Sequence, residues 1–369
     1  MIIVDTMTIG GTEKLTAFLA NRFAEKNHET SLLILKNDFS SLEWVKKEKI
    51  TIHTAIRRFT FDPSYLLKIA RTMKEINPDI VLCQGLFSYF STKTAFCTSS
   101  KKYPIVLALH FTKEIRIKDK FFNTIYFTLL KSSPDNIITI YRNQMNYFSK
   151  KYGIPLSRFH CIHNGIDVKY FQNKNDTENN DFTIIHIGNI REEKDQMTLL
   201  KALKIFNNSF EKWRLIFCGR DLINKKNAFI KYLKNVDLIS KVIFIDFVKD
   251  IRVLLKKSDV FILSSLSEAL PVSALEAMAM SVPCILTNVG GCSDIITEGV
   301  NGFLVPAKNP ELIAERLLFL AKNPHALKIM KQNAPLIVQQ KFSLDYMVDK
   351  YINFFEKITK HKDKQHEYR

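Results

Sequence analysis

In the stretch "SEALPVSALEAM" (residues 267–278), Glu268 and Glu276 stand eight positions apart with Pro271 between them. On one helix, turning ~100° per residue, they would point ~80° apart and sit ~12 Å apart along the axis. That geometry does not suit two carboxylates sharing one proton. The proline suggests another arrangement. "DVFILSS" (259–265) reads as a strand and "LSEAL" as a loop. Pro271 then fits the first turn of a helix, where a missing N–H costs nothing. Glu268 falls in the strand-to-helix loop and Glu276 in the second helical turn. From two elements, the carboxylates can face one elongated ligand, one at a reacting group and one further along. Two other readings stand beside this: an acid/base pair flanking a glycosidic bond, and a Glu276 that is a plain surface residue.

The elements that would position these groups recur along the chain. Aliphatic runs occur at "IIVDTM" (2–7), "TSLLILK" (30–36), "DIVLCQG" (79–85), "PIVLALH" (104–110) and "NIITIY" (136–141). They resume at "FTIIHIG" (182–188), "WRLIFCG" (213–219), "KVIFIDF" (241–247), "DVFILSS" and "PCILTN" (283–288). Segments of helical periodicity such as "EKLTAFLANRFAEKN" and "KDQMTLLKALKIFNN" lie between them. This alternation predicts α/β architecture, with doubly wound parallel sheets covered on both faces. The polar stretch "QNKNDTENND" (172–181) predicts a break. The expected organisation is an N-terminal domain 1–172, a linker 173–181, a C-terminal domain 182–344, and a helix with a charged tail, 345–369, packing back toward the N-terminal domain. Ligands in such sheets bind outside the carboxyl ends of the strands, so the crevice between the domains is the expected site.

Composition narrows the class. The chain has 369 residues, 46% apolar and 25% charged, as in a globular protein of two domains. No apolar run reaches the ~18 residues of a membrane span, and no secretory signal is visible. Six cysteines form no C-x-x-C pair, which fits a reducing cytoplasm. The net charge is +17, with +11 in residues 1–172 and +6 in residues 173–369. Such a surface attracts phosphates, or reflects a lysine-rich composition alone. No zinc, RRM or basic-aromatic motif supports a nucleic-acid partner. "GGTEKL" (10–15) lacks the G-x-G-x-x-G spacing of a nicotinamide-dependent dehydrogenase.

The block "SSLSEALPVSALEAMAMSVPCILTNVGGCSDIITEGVNGFLVP" (264–306) resembles the E-x7-E signature of glycosyltransferase family 4. "GGTEKL", "HNGID" (163–167) and "IGNIREEKDQMTLLKAL" (187–203) resemble further motifs of that family, in order, over nearly the whole chain. The resemblance implies the GT-B architecture of two facing Rossmann-like domains and a retaining transfer from a nucleotide diphosphate sugar, UDP-sugar favoured. It implies no cofactor and no metal. By the same resemblance the catalytic residues are Glu268 at the donor sugar, Lys194 at the leaving diphosphate and His110 near the reaction centre. Donor binding would use Gly11, Arg191, Lys194, Phe247, Val248, Glu268, Ala269, Leu270 and Glu276, the last holding the ribose diol. A two-pronged, acceptor-only carboxylate suits a diol, and helix N-termini at Gly11 and after Pro271 would add N–H groups.

Several positions depart from the family pattern. Asn189 stands where an arginine is common, with Arg191 two residues on as the substitute. Ala269, Ser281 and Asp246 each replace a common glycine, and Asp246 leaves the base preference open. The resemblance implies a lipid-linked or cell-surface polysaccharide acceptor on the basic N-terminal domain. The alternative is an inactive or repurposed GT-B protein that binds nucleotide sugar without transfer or performs epimerase-type chemistry. The expected location is cytoplasmic, peripheral on the inner face of the membrane. Segment 113–133, basic at Lys113, Arg116, Lys118 and Lys120 and then aromatic, would either meet an anionic membrane surface or fill the core.

Overall fold

The computed structural model describes residues 1–8, 11–58, 62–96, 103–110, 117–172 and 181–366. The chain divides into two units, one of Met1–Gly165 with Leu344–Arg369 and one of Ile166–Ser343.

The first unit is built on a seven-stranded sheet in the order β3-β2-β1-β4-β5-β6-β7. Its strands are β1 (Ile2–Val4), β2 (Thr30–Ile34), β3 (Ile50–Thr54), β4 (Val81–Gln84), β5 (Ile105–Leu109), β6 (Asn136–Thr139) and β7 (Phe159–Cys161). All pairings are parallel. Alternation along each strand sends successive side chains to opposite faces. Ile2, Val4, Leu32, Ile34, Val106 and Ala108 meet Ala17, Leu19 and Phe23 of helix Gly11–Glu25, together with Met347, Val348 and Tyr351 of helix Leu344–His366. Ile3, Leu33, Cys83, Ile105 and Leu107 meet Ile69, Met73, Tyr89, Phe127 and Phe148 on the opposite face. The helix Leu344–His366 is fixed to this unit by Phe23 against Tyr351 and Phe355, and at its rim by Arg22–Asp345 (3.3 Å) and Lys26–Asp349 (2.8 Å).

The second unit carries a six-stranded parallel sheet in the order β10-β9-β8-β11-β12-β13. Its strands are β8 (Phe182–Ile187), β9 (Trp213–Cys218), β10 (Val242–Ile245), β11 (Val260–Leu263), β12 (Cys284–Thr287) and β13 (Gly302–Val305). Its pairings are likewise parallel throughout. One face packs on Leu199, Leu203, Phe206, Leu317 and Leu320. Each sheet reverses its order beside its first strand, between β1 and β4 and between β8 and β11. Loops leaving the carboxyl ends there diverge and open a crevice.

Residues 173–180 of the anticipated linker lie outside the described residues. The division falls earlier, at Gly165 and Ile166, so residues 166–172 group with the second unit. Ile166 N–H donates to Phe342 O (2.9 Å), and Arg252 both lies over the Tyr170 ring (3.8 Å) and donates to Tyr170 O (3.0 Å). Those tertiary contacts outweigh the polar composition that suggested residue 172.

Residues 113–116 of the basic-aromatic segment also lie outside the described residues; helix Ile117–Lys131 follows. From Thr124 onward its two faces separate. Phe127 and Leu130 are fully buried, with Phe127 stacked on Phe148 (4.8 Å) and Tyr152 (4.1 Å), while Ile125 and Leu129 are exposed. Among the described residues no helix is long and apolar enough to cross a membrane.

Helix Val272–Ala279 ends in a Schellman motif. Val282 N–H donates to Ala277 O (2.9 Å) and Ser281 N–H to Met278 O (3.0 Å), with Ser281 left-handed at φ 63°. A side chain in that conformation costs ~1–2 kcal/mol. Ser281→Gly is expected to raise stability by ~1 kcal/mol, read as a higher urea midpoint at unchanged m value.

Candidate functional site

The second sheet's crevice is formed where the loops after β8 and β11 meet. β8 runs into Gly188, an exposed Asn189, the short turn Glu192–Lys194 and then helix Gln196–Asn207. β11 runs into Ser264 and Ser265, both fully buried. The two loops are stitched together. Leu266 N–H donates to Glu193 O (2.7 Å), and Ser264 Oγ donates to Asp195 O (2.9 Å). This stitching carries Lys194 onto Glu268. Lys194 Nζ lies 2.6 Å from Glu268 Oε1, which also accepts from Ser265 Oγ at 2.6 Å. Glu268 is only 8% exposed. A carboxylate removed from water needs such partners, since an unpaired buried charge is expensive.

The loop after β12 closes the third side. Gly291 N–H donates to Ala269 O (2.7 Å). Gly290 is left-handed at φ 55°, and a Cβ there would fall 1.6 Å from Glu268 O. Only glycine allows this backbone approach.

Behind the Lys194 turn, His186 is fully buried on β8. Its Nδ1–H donates to Ile262 O (3.0 Å), while Gln196 Nε2 lies 3.4 Å from its Nε2 and donates to Asn189 O (3.0 Å). This chain holds the neutral tautomer and ties the loop to the strand. Burial pushes the imidazole down to about 4, and the nearby Lys194 charge acts in the same direction.

The other anticipated residues spread along the sheet's edge. Glu276 is half-buried in the second turn of helix Val272–Ala279. Pro271 directly precedes that helix, one residue outside the first turn anticipated for it, and its carbonyl accepts from Ala274 N–H (3.1 Å). Leu270 is 4% exposed and belongs to the core, so it can offer a ligand only its backbone; Ala269 is half-buried. Arg191 is solvent-facing, 3.5 Å from Glu193. Phe247 is exposed beneath the Arg220 guanidinium (4.8 Å), Val248 is half-buried, and Asp246 pairs with Lys226 (2.6 Å). These last three follow β10, three strands from β11.

His110 and Gly11 belong to the first unit. Gly11 opens helix Gly11–Glu25 and is exposed; Gly10 lies outside the described residues. His110, just past β5, hydrogen-bonds through Nε2 to Gln84 Oε1, and its Nδ1 has no partner among the described residues. Loss of hydration pushes its imidazole down to about 4. The sequence reading missed Ser264, Ser265, His186 and Gln196. The one signal for them was the paired serines at a strand end just before Glu268.

Two family models match in tandem: "Glycosyltransferase Family 4" over residues 9–170 and "Glycosyl transferases group 1" over residues 167–336. The chain belongs to glycosyltransferase family 4. It is 22% identical over 375 residues to N-acetyl-alpha-D-glucosaminyl L-malate synthase of Bacillus anthracis, covering 96% of this chain and 95% of that one. It is 25% identical over 227 residues to UDP-Gal:alpha-D-GlcNAc-diphosphoundecaprenol alpha-1,3-galactosyltransferase of Escherichia coli, covering 58% of each. The crystal structure of Anabaena Alr3699/HepE in complex with UDP superposes with a TM-score of 0.82 at 17% identity, over 96% of this chain and 99% of that one. The fold of this glycosyltransferase is GT-B, and the chain is a transferase enzyme.

Removing one member of the Lys194–Glu268 pair strands the other charge. Lys194→Met is expected to destabilise the protein by ~1–3 kcal/mol. Lys194→Met combined with Glu268→Leu should cost less than the sum of the two single changes, as measured in a double-mutant cycle by urea unfolding.

The depressed imidazoles make stability depend on pH. In the unfolded chain His186 takes a proton near its ordinary value of 6.5, and in the folded protein only near 4. Between those values the unfolded state binds more protons, so stability is full above pH 6.5 and falls toward pH 4. The His186 share is about 3 kcal/mol. His186→Asn should flatten this part of the urea-midpoint curve, and an unchanged curve would contradict the assignment.

Proposed function

We propose that the protein transfers a sugar, with retention of configuration, from a nucleoside diphosphate sugar to a hydroxyl of a lipid-linked or cell-surface polysaccharide acceptor. The observation that carries this reading is the Lys194–Glu268 pair, 2.6 Å apart at the switch point of the second sheet. A lysine and a shielded carboxylate at one crevice can divide the two ends of a breaking sugar–phosphate bond. A bound diphosphate would draw Lys194 toward its growing negative charge, and stabilising that charge lowers the barrier. Glu268, relieved of its lysine but still held by Ser265, would accept hydrogen bonds from sugar hydroxyls.

Glu276 on the adjoining helix would take the ribose diol, with Arg191 as a second cation at the diphosphate. Phe247 and Val248 would flank the base. In the first unit, His110 would hydrogen-bond a sugar hydroxyl and the helix N-terminus at Gly11 would offer its N–H groups to an anion. A neutral His110 suits a hydroxyl better than a phosphate. Lys194 and Arg191 supply the positive charge, so the reading calls for no divalent cation. UDP is favoured as the carrier because HepE was crystallised with UDP and the Escherichia coli relative is named for UDP-Gal. That relative's diphosphoundecaprenol acceptor also motivates the lipid-linked alternative and a site of action at the cytoplasmic face of the membrane.

Incubation with a panel of UDP-sugars and isolated lipid-linked saccharides tests this directly. Free UDP and a new glycoside with the donor's anomeric configuration by NMR are expected, unaffected by EDTA; inversion, or a requirement for added metal, would refute the corresponding part. In the same assay, Lys194→Ala should lower kcat more than it raises the donor KM. Glu276→Ala should weaken UDP binding by ~1.5–3 kcal/mol in calorimetry without unfolding the protein.

A further inference from the structure

The first sheet carries at its own carboxyl edge a set of side chains that the donor site does not use. Past the ends of four neighbouring strands stand Arg57 after β3, Lys36 after β2, Asp5 after β1 and Phe87 after β4. The Arg57 guanidinium lies 4.7 Å from the centre of the Phe87 ring and Lys36 Nζ lies 5.3 Å from it. Tyr65 stacks on the same ring at 6.4 Å and 8°. Two cations thus gather at one aromatic side chain. Lys36 pairs with Asp5 Oδ2, while Arg57 has no carboxylate partner among the described residues. Asp5 Oδ1 is buried and has no hydrogen-bond partner among them either.

Backbone bonds hold this arrangement. Leu35 N–H donates to Val4 O (3.1 Å) and Arg57 N–H to Leu35 O (3.1 Å), so the segments carrying Asp5, Lys36 and Arg57 are fixed to each other. The guanidinium is therefore presented by sheet-anchored backbone. Along the same edge, Gln84 of β4 holds His110, just past β5.

We propose that Arg57 and Lys36 form an anion subsite for the acceptor, one that recognises a phosphate or carboxylate borne by the saccharide whose hydroxyl approaches His110. This rests on the reading of the protein as a sugar transferase with its acceptor on the first unit. Arg57 supplies a planar donor fork suited to an oxyanion. Lys36 can turn from Asp5 to a bound anion, leaving the Asp5 carboxylate to accept a sugar hydroxyl. Phe87 gives the apolar wall on which a sugar ring can lie. From β2 to β5 is three strand spacings, ~14 Å. That separation suits an anionic group displaced from the reacting hydroxyl along the acceptor, and it does not suit one attached at the reacting carbon.

The test is calorimetric titration of the full-length protein, saturated with UDP, with a hexose 1-phosphate, a methyl hexuronide and a neutral methyl hexoside. Saturable binding of at least one anionic sugar is expected, weaker by about tenfold or more in Arg57→Gln and in Lys36→Gln, partly restored in Arg57→Lys, and falling with added salt. The phosphate and carboxylate arms separate the two sources of the anion. UDP affinity should be the same in all variants. No saturable binding of either anionic sugar, equal binding of the neutral hexoside, or unaltered affinity in Arg57→Gln would overturn the subsite. Failure of the wild type to bind UDP would instead strike the transferase reading, so the two failures are distinct.

Discussion

The contact between Lys194 and Glu268 is the constraint around which the second unit is arranged. A carboxylate 8% exposed and a lysine 2.6 Å away can coexist only if both loops are held rigidly, because ion pairs withdrawn from water regain their desolvation cost only with good geometry and further hydrogen bonds. The structure supplies both. Ser265 gives the further hydrogen bond, and its own carbonyl accepts from Thr287 Oγ1 at 2.6 Å, carrying the support to β12. Gly290 brings the third loop against the Glu268 carbonyl. His186 and Gln196 secure the lysine turn from beneath. Three adjacent strands therefore determine the position of one carboxylate.

The aliphatic interior of both sheets was plain in the sequence, and the edges were not. All ten aliphatic runs contain strands, from Ile2–Val4 to Cys284–Thr287. The three strands overlooked are β3, β7 and β13, and each ends a sheet. Central parallel strands are covered on both faces and read as unbroken apolar runs. An edge strand need not be: "ITIHT" in β3 runs from a buried Ile50 to an exposed Thr54, and "FHC" in β7 has only three residues. Their pairing comes from the neighbouring strand's register, which no local pattern announces. The same limit explains why the units divide at Gly165 and Ile166 rather than near residue 172, since Arg252, 82 residues away in sequence, binds Tyr170.

Within the crevice, sequence identified the charged groups and missed their supports. Glu268 and Lys194 stood out through the E-x7-E block and the stretch after β8, and they meet in space. The groups that position them are two serines, a histidine and a glutamine, each of a type more often found without any such role. His186 is legible only once β11 is known to offer the Ile262 carbonyl. Ser281 is the converse case. The sequence flagged it as a replaced glycine, and its φ of 63° explains why glycine suits that position.

The two sheets share a strand order around the switch point, yet their carboxyl edges carry different chemistry. In the second, opposite charges neutralise one another: Lys194 with Glu268, Arg191 with Glu193, Lys226 with Asp246. In the first, the histidine nearest the switch is held near pKa 4 by loss of hydration and is neutral at pH 7, with Gln84 at one nitrogen. A neutral imidazole adds no charge to its surroundings, so it can meet a sugar hydroxyl without attracting phosphate to the same point. The cations named above stand elsewhere, Lys194 and Arg191 in one unit and Arg57 and Lys36 in the other. Among the described residues, the charged groups named at these two edges all stand after strands other than the one that leads into the histidine.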